Sequence, residues 1–549
     1  MHGLSLYCRI VGSGNKRETT MHDPKAVMRS LPLVASVLGR KYGVKVEIGG
    51  QVAYTDGKAI HLPSLPLDAP EILVNLARGY IDHESAHLRE TDFGALKEAE
   101  LTPLEMHIWN TIEDWRVENR LAALFPGCRQ NFNWLIKYLF GSENAADATS
   151  NPALHVLNWL LMTVRSWDVP ALAFQRDDLA WLIDGYFPGL RIQMEFILDA
   201  VRAGCRSTGD GFAYAKQLAA LLAQESEQPS QTTKPGGSGQ AEDSGQDDGE
   251  TDPDDARKCL RDLLHADTDS LPKEMGSILA EALGQMIPDN PDQCVTVATP
   301  RPKPTFPLSN DELKEVRQAS VALKTRLLGL LQTTTLVRNH TGRRGKLDTH
   351  RLHLIATADP RVFRRRGTRQ GIDTAAHILL DCSSSMAQQL QLATKACFAV
   401  AKALKSCAIN VALTAFPAGF VQDDHGGKGS WATIGQIIRH GERVHERVLV
   451  RPVGSTPMGE ALWWVLQDML LLSEKRKLIL ILTDGEPDSV PCMLDATEQA
   501  NRLGMEVYGI GIGSTGIESL LPGKARSISS LGDLAPAMFE MLQGALMRR

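Results

Sequence analysis

Two short runs carry residue types and spacings that suit metal chemistry. The first is His83-Glu84-Ser85-Ala86-His87, an H-E-x-x-H pattern. On a helix, residues four apart share a face, so both imidazoles can bind one Zn²⁺ with Glu84 beside it as general base. The second is Asp381-Cys382-Ser383-Ser384-Ser385, which puts one carboxylate and two hydroxyls on a loop after an apolar run. Oxygen donors of this kind suit a hard cation such as Mg²⁺. Gly454-Ser455-Thr456-Pro457-Met458-Gly459 and Leu482-Thr483-Asp484-Gly485-Glu486-Pro487-Asp488 follow, each at a strand-to-helix junction. D-x-S-x-S alone is short and common. Three loops in order at the carboxyl edge of one sheet are specific, because open parallel sheets place their sites there.

The H-E-x-x-H pair needs a third ligand. The run Asn110-Thr111-Ile112-Glu113-Asp114-Trp115-Arg116-Val117-Glu118 is dense in carboxylates between apolar flanks. It resembles the glutamate helix of gluzincin metallopeptidases, and Glu113 is the expected ligand. Asp114 or Glu118 remains as an alternative ligand, or as the group that orients a histidine. Asp92 is a weaker rival, one residue short of the third-ligand position of metzincins.

These residues must be placed by helices and strands. A helical pattern covers 23–38, and Pro32 is expected to kink or interrupt it. Strand-like runs at 44–48, 51–55 and 58–62 are separated by Gly49-Gly50 and Asp56-Gly57, both hairpin chemistry. Asp68 and Pro70 open a helix to about Arg89 that carries the histidines. A second helix covers 103–124, amphipathic helices fill 131–224, and weaker helical segments lie at 256–286 and 309–335. From there, apolar strands at 377–381, 409–416, 447–450, 477–484 and 506–513 alternate with helical patterns. That alternation predicts a parallel sheet covered on both faces. The expected fold class is multidomain: an N-terminal α+β, mainly helical domain and a C-terminal α/β doubly wound domain. The expected units are 1–130, a helical extension 131–224, an acidic disordered linker 225–256, a helical and basic connecting region 257–372, and the α/β domain 373–549.

The chain has 549 residues and a formal net charge of −6, but the charge is segregated. Residues 225–255 hold ten acidic residues and one lysine, and 338–369 hold ten Lys/Arg and two Asp. The acidic stretch is rich in Gln, Ser, Gly and Pro, which makes it a solvated tether. The basic stretch has no aromatic beyond Phe363, so nucleic-acid stacking is not expected. Nine cysteines without any C-x-x-C suit reduced thiols, and no signal-peptide pattern or long uncharged apolar run is present. The expectation is a cytoplasmic chain without a membrane partner. No G-x-x-x-x-G-K-[ST] run is present, so ATP hydrolysis is not expected of this chain.

The three C-terminal loops resemble the metal-ion-dependent adhesion site (MIDAS) of von Willebrand factor A (VWA) domains, over about 373–549. That resemblance implies that Asp381, Ser383, Ser385, Thr456 and Asp484 hold Mg²⁺ and leave one position for an acidic side chain of a partner. Ser384 departs from the usual glycine, and Cys382 is expected to pack under the loop. HESAHLRETDF, WNTIEDWRVENRL, GRRGKLDTHRL and PRVFRRR, together with the domain order, resemble the CobT subunit of aerobic cobaltochelatase and its relatives. The N-terminal part then resembles a zincin. The resemblance implies work with a MoxR/CobS-type AAA+ ATPase on a client protein. Two further functions stay open: a zinc metallopeptidase whose VWA domain recruits substrate, and a true cobaltochelatase subunit in cobalamin biosynthesis.

Overall fold

The computed structural model describes residues 30–67, 69–141, 151–228, 253–288, 290–334, 373–422 and 430–529, with short pieces at 340–342, 346–349, 362–365 and between 533 and 541. The acidic tether at 229–252, much of the basic stretch and Asp68 lie outside the described residues.

Helices α1 (Leu31–Tyr42), α2 (Glu71–Glu90), α3 (Phe93–Glu98), α4 (Pro103–Leu124), α5 (Gly127–Phe140), α6 (Pro152–Ser166), α7 (Ala173–Tyr186), α8 (Leu190–Gly204) and α9 (Thr208–Glu227) form the N-terminal body. Pro32 falls in the first turn of α1 and opens that helix, while residues 23–29 of the expected helix lie outside the described residues. Thr102 and Glu105 close a capping box ahead of α4. A small sheet of β1 (Lys45–Ile48), β2 (Tyr54–Thr55) and β3 (Ala59–Leu62) packs beside α2. Only Asp56-Gly57 makes the expected hairpin. β3 is buried along its whole length and takes the centre, parallel to β1 and antiparallel to β2. Gly49-Gly50 therefore does not fold β1 onto β2.

Two later segments return to this body. β4 (Leu65–Pro66) pairs antiparallel with β5 (Cys294–Val295). Helix α10 (Pro253–Leu264) packs on α6 and α9, and α11 (Met275–Gln285) packs on α2. Residues 253–285, expected to close the acidic linker (to 256) and open the connecting region (from 257), thus pack on the N-terminal body.

The C-terminal part holds β6 (Thr299–Pro300), β7 (Phe306–Pro307), α12 (Asn310–Thr334), β8 (His340–Gly342), β9 (Lys346–Leu347), β10 (Phe363–Arg365), β11 (Thr374–Asp381), α13 (Leu390–Ser406), β12 (Asn410–Gln422), β13 (Ser430–Ile438), β14 (Arg447–Leu449), α14 (Met458–Leu470), β15 (Arg476–Thr483), α15 (Val490–Arg502), β16 (Met505–Ile512), α16 (Gly516–Leu520) and β17 (Ala525–Ile528). Its main sheet has seven strands in the order β17-β16-β15-β11-β12-β13-β6. All neighbours are parallel except β12 and β13. The 447–450 run does not enter this sheet; β14 pairs with β7 outside it.

Every position of β11 is buried, which is why its sequence is apolar without alternation. Ala376, Ile378 and Leu380 face a core under α13, while Ala375 and Leu379 face the opposite core with α14 and α15. That second core continues without a break into the N-terminal helices. The joint is also stitched by main-chain bonds: Val297 N–H donates to Ile48 O at 3.0 Å and Ala298 N–H to Glu460 O at 3.1 Å. Gly49 lies flat on Trp431, where a Cβ would come within 2.7 Å of the indole. Among the described residues, no helix is long and apolar enough to cross a membrane.

Candidate metal centres

The C-terminal centre forms where the sheet order reverses. From β11 the chain steps to β12 on one side and later to β15 on the other, so the two loops diverge and leave a crevice. Asp381 ends β11. Its Oδ1 accepts the Ser383 N–H at 2.7 Å, and its Oδ2 accepts the Thr483 hydroxyl at 2.6 Å. The Ser383 and Ser385 hydroxyls lie 3.0 Å apart, and Ser385 donates to Asp484 Oδ1 at 2.7 Å. Thr456 arrives on the next loop. That loop is tied to the first by Val453 N–H to Cys382 O at 2.7 Å and Ser384 N–H to Gly454 O at 3.0 Å. Asp488 then holds it, accepting Thr456 N–H at 2.9 Å and the Ser455 hydroxyl at 2.6 Å. The Thr456 hydroxyl lies 3.4 Å from where a Cβ would stand on Gly485, beside Asp484.

The structure thus brings Asp381, Ser383, Ser385 and Asp484 into one hydrogen-bonded set and puts Thr456 at its rim. Burial pushes the Asp381 carboxyl up to about 6, and Asp484 adds to that, against the pull of Thr483 and Ser383. Two carboxylates that repel each other among hydroxyls are the charge arrangement a hard divalent cation relieves. Ser384 sits at φ −63°, so the position does not demand glycine. Burial pushes the Cys382 thiol up to about 12, and the side chain packs beneath the loop. Thr483 and Asp488 were not singled out from sequence. Both lie in the Leu482–Asp488 loop, and the signal was their oxygen side chains flanking Asp484.

The N-terminal centre is assembled from four helices. α2 presents His83 and His87, α4 presents Asp114 and Glu118, α6 adds Arg165, and α11 lies across them. One ring nitrogen of each histidine and one Asp114 oxygen lie within 4.8 Å of one another. His87 Nε2 is 3.1 Å from Asp114 Oδ1, close to the ~3.3 Å edge of a zinc tetrahedron with ~2.05 Å bonds. The other ring nitrogens are occupied. His83 Nδ1 lies 3.0 Å from Glu118 Oε1, and His87 Nδ1 lies 3.1 Å from the Thr91 hydroxyl. That hydroxyl donates its own proton to Glu113 Oε1 at 2.9 Å, so it accepts from His87. The carboxylate of Glu118 likewise accepts from His83. Both histidines therefore carry the proton on Nδ1 and present Nε2.

Glu113, the expected third ligand, is turned away from this cluster. It is fully buried, both of its oxygens take Arg116 at 2.7 Å, and Thr208 donates to it at 3.0 Å. The cause is helical phase. Asp114 and Glu118, four apart, share the face toward α2 and α6, while Glu113 is rotated by about 100° toward α9. Its place is two hydrogen bonds behind His87, through Thr91. Asp92 is elsewhere, accepting the Gly94 and Ala95 N–H groups at 3.0 Å as the cap of α3. Glu84 lies beside His83 and accepts the Thr55 hydroxyl of β2 at 2.7 Å.

Arg165, unmarked in the sequence, is 1% exposed and donates to Asp114 Oδ2 and Glu118 Oε2, each at 2.8 Å. Asp114 and Glu118 thus share one guanidinium, and Glu84 and Glu274 add their charges beside the histidines. Burial opposes a charge on His83, but Asp114, Glu118 and Glu84 outweigh it and lift its pKa to about 9. Burial also opposes a charge on Asp114, yet His83, His87 and Arg165 hold its carboxyl well below the usual range. The site draws in positive charge, of the kind a divalent cation would supply. α11 closes the site. A Cβ on Gly276 would stand 3.1 Å from Glu84 Oε1 and 3.6 Å from His83 Nε2. Glu274 accepts from Asn110, and Met275 Sδ is 3.3 Å from Arg165. Nothing local in 274–276 signals this lid, since its partner lies far away in sequence.

Among curated proteins no sequence matches this chain. Among solved structures, proximal thread matrix protein 1 from the mussel byssus, with a zinc-occupied MIDAS motif, is 16% identical at TM-score 0.26. The match covers 32% of this chain and 46% of that one, so this chain spans less than half of that protein. The manganese-loaded TRAP protein of Plasmodium vivax is 16% identical at TM-score 0.24, over 31% of this chain and 74% of that one. The doubly wound sheet is established by its own strand order and not by these likenesses. Residues 24–171, which carry both the histidine helix and its carboxylate helix, match the family described as cobalamin biosynthesis protein CobT.

Proposed function

We propose that the chain is a metal-dependent VWA adaptor that couples a MoxR/CobS-type AAA+ ATPase to a client protein. The observation that carries this is the convergence of Asp381, Ser383, Ser385 and Asp484 at the sheet switch point, with Thr456 on a loop tied to theirs. In this reading those five residues hold Mg²⁺, and an acidic side chain of the client completes its coordination. The N-terminal histidines and Asp114 hold Zn²⁺ in a closed site, with Glu118 and Thr91 orienting the rings. The test is capture of the organism's own MoxR/CobS-type ATPase on the immobilised full chain. Retention supports the adaptor, and failure to retain any such ATPase removes it.

A zinc metallopeptidase is the second reading, favoured by Glu84 standing beside His83 under a strand edge. Zn²⁺ would polarise a carbonyl or activate water, and Glu84 would take the proton. Because α11 covers Glu84, this reading requires α11 to lift. Cleavage that disappears in Glu84→Gln supports it, and absence of stoichiometric zinc removes it. The match over residues 24–171 favours a third reading, a cobaltochelatase subunit with cobalt as cargo. Failure to support cobalt insertion in a reconstituted complex excludes it.

A further inference from the structure

A second imidazole cluster lies away from both centres. His377 on β11, His440 just after β13 and Asp468 on α14 place two ring nitrogens and a carboxylate oxygen within 4.8 Å of one another. His377 Nδ1 and His440 Nε2 are 3.1 Å apart. That separation again approaches the ~3.3 Å edge of a zinc tetrahedron. We propose that His377, His440 and Asp468 form a further site for a borderline divalent ion of the Zn²⁺ class, with its remaining position open to water.

Three observations carry this site. The far nitrogen of His377 is already held: Nε2 lies 2.9 Å from the Thr414 hydroxyl, the outer contact that fixes a ligating ring. The Asp468 side chain is three-quarters buried, makes no hydrogen bond among the described residues, and has only a loose 3.8 Å contact with Arg40. The His440 Nδ1 is buried and has no partner among the described residues. Without an ion, the short contact between the rings is a single hydrogen bond between neutral imidazoles, and Asp468 stays under-satisfied. An ion would use both rings and the carboxylate together. Burial keeps both imidazoles in the neutral form that ligates.

The surroundings define the limits of the site. Arg40, Arg439 and Lys405 act on Asp468 or His440, so the cluster is less anionic than the H-E-x-x-H centre. Arg40 is half-exposed and free to swing toward solvent when an ion takes its carboxylate. His440 and Asp468 are partly exposed, which gives the ion a route in. Hexahydrated Mg²⁺ is disfavoured here, since two of three ligands are imidazoles.

The test counts zinc bound to the full chain in excess Mg²⁺, by competition with a chromophoric chelator. His440→Ala and Asp468→Asn are compared with the wild type, with folding checked by far-ultraviolet circular dichroism. Each variant is expected to bind one zinc equivalent fewer than the wild type, whether or not the H-E-x-x-H site is filled. Pairing each with His83→Ala/His87→Ala separates the two sites: the double-histidine parent should keep one equivalent and lose it on adding His440→Ala. Unchanged zinc stoichiometry in folded His440→Ala and Asp468→Asn overturns the site.

Discussion

Glu113 and Asp114 are adjacent in sequence and opposite in role. Asp114 faces the histidine pair, and Glu113 supports His87 from behind through Thr91. The two roles predict different losses. Asp114→Asn should lose the one zinc equivalent held at the H-E-x-x-H centre, whereas Glu113→Gln should keep it with affinity weakened about 10–100-fold, read by chelator competition. Equal loss in both variants would place Glu113 in the ligand set. The donor types were legible in the sequence, because H-E-x-x-H and D-x-S-x-S are local patterns. The choice among Glu113, Asp114 and Glu118 was not, because it depends on the rotation of α4 against α2. Arg165 and Gly276 were invisible for the same reason: each reaches the site from a helix remote in the chain.

At the scale of elements, the sheet was read well where its strands are apolar and parallel. β13, the antiparallel member, was missed, as were the short edge strands β6 and β17. The hairpin expected at Gly49-Gly50 failed because burial of β3 made it the central strand. Helix α14 carries a further consequence. Burial pushes the Glu460 carboxyl from its ordinary 4.5 up to about 7, with Asp488 adding to it and the Ala432 N–H opposing. The folded state therefore binds the proton more tightly than the unfolded state. That contribution to stability is full below pH 4.5 and is lost as pH rises through about 7. Between those limits the loss should be no more than about 3 kcal/mol. Glu460→Gln should flatten this part of the pH–stability profile in urea titrations. An unchanged slope would mean that Glu460 titrates normally.

At the scale of the whole molecule, the acidic stretch divides the sequence into an N-terminal and a C-terminal part joined by a tether. The described residues share a core that runs from the N-terminal helices through α14 and α15. Segment 253–301, downstream of the tether, lies on the N-terminal body and stitches β1 and β4 to the C-terminal sheet. No local pattern announces contacts at that sequence distance. Gly49→Ala tests this joint. Its methyl would collide with Trp431, so unfolding in urea should show a loss of about 1–3 kcal/mol. A neutral effect would show that the joint yields without strain.

The claim on which the functional account turns is that the Asp381 centre carries client binding through its metal. Chelation is a poor test, since the proposed ATPase partner would need Mg²⁺ for its own nucleotide. Asp381→Ala in constant Mg²⁺ is the cleaner comparison. Client and ATPase retained on the immobilised full chain are measured side by side for wild type and variant. The account predicts that the variant keeps the ATPase and loses the client. Equal client retention by both proteins would contradict it.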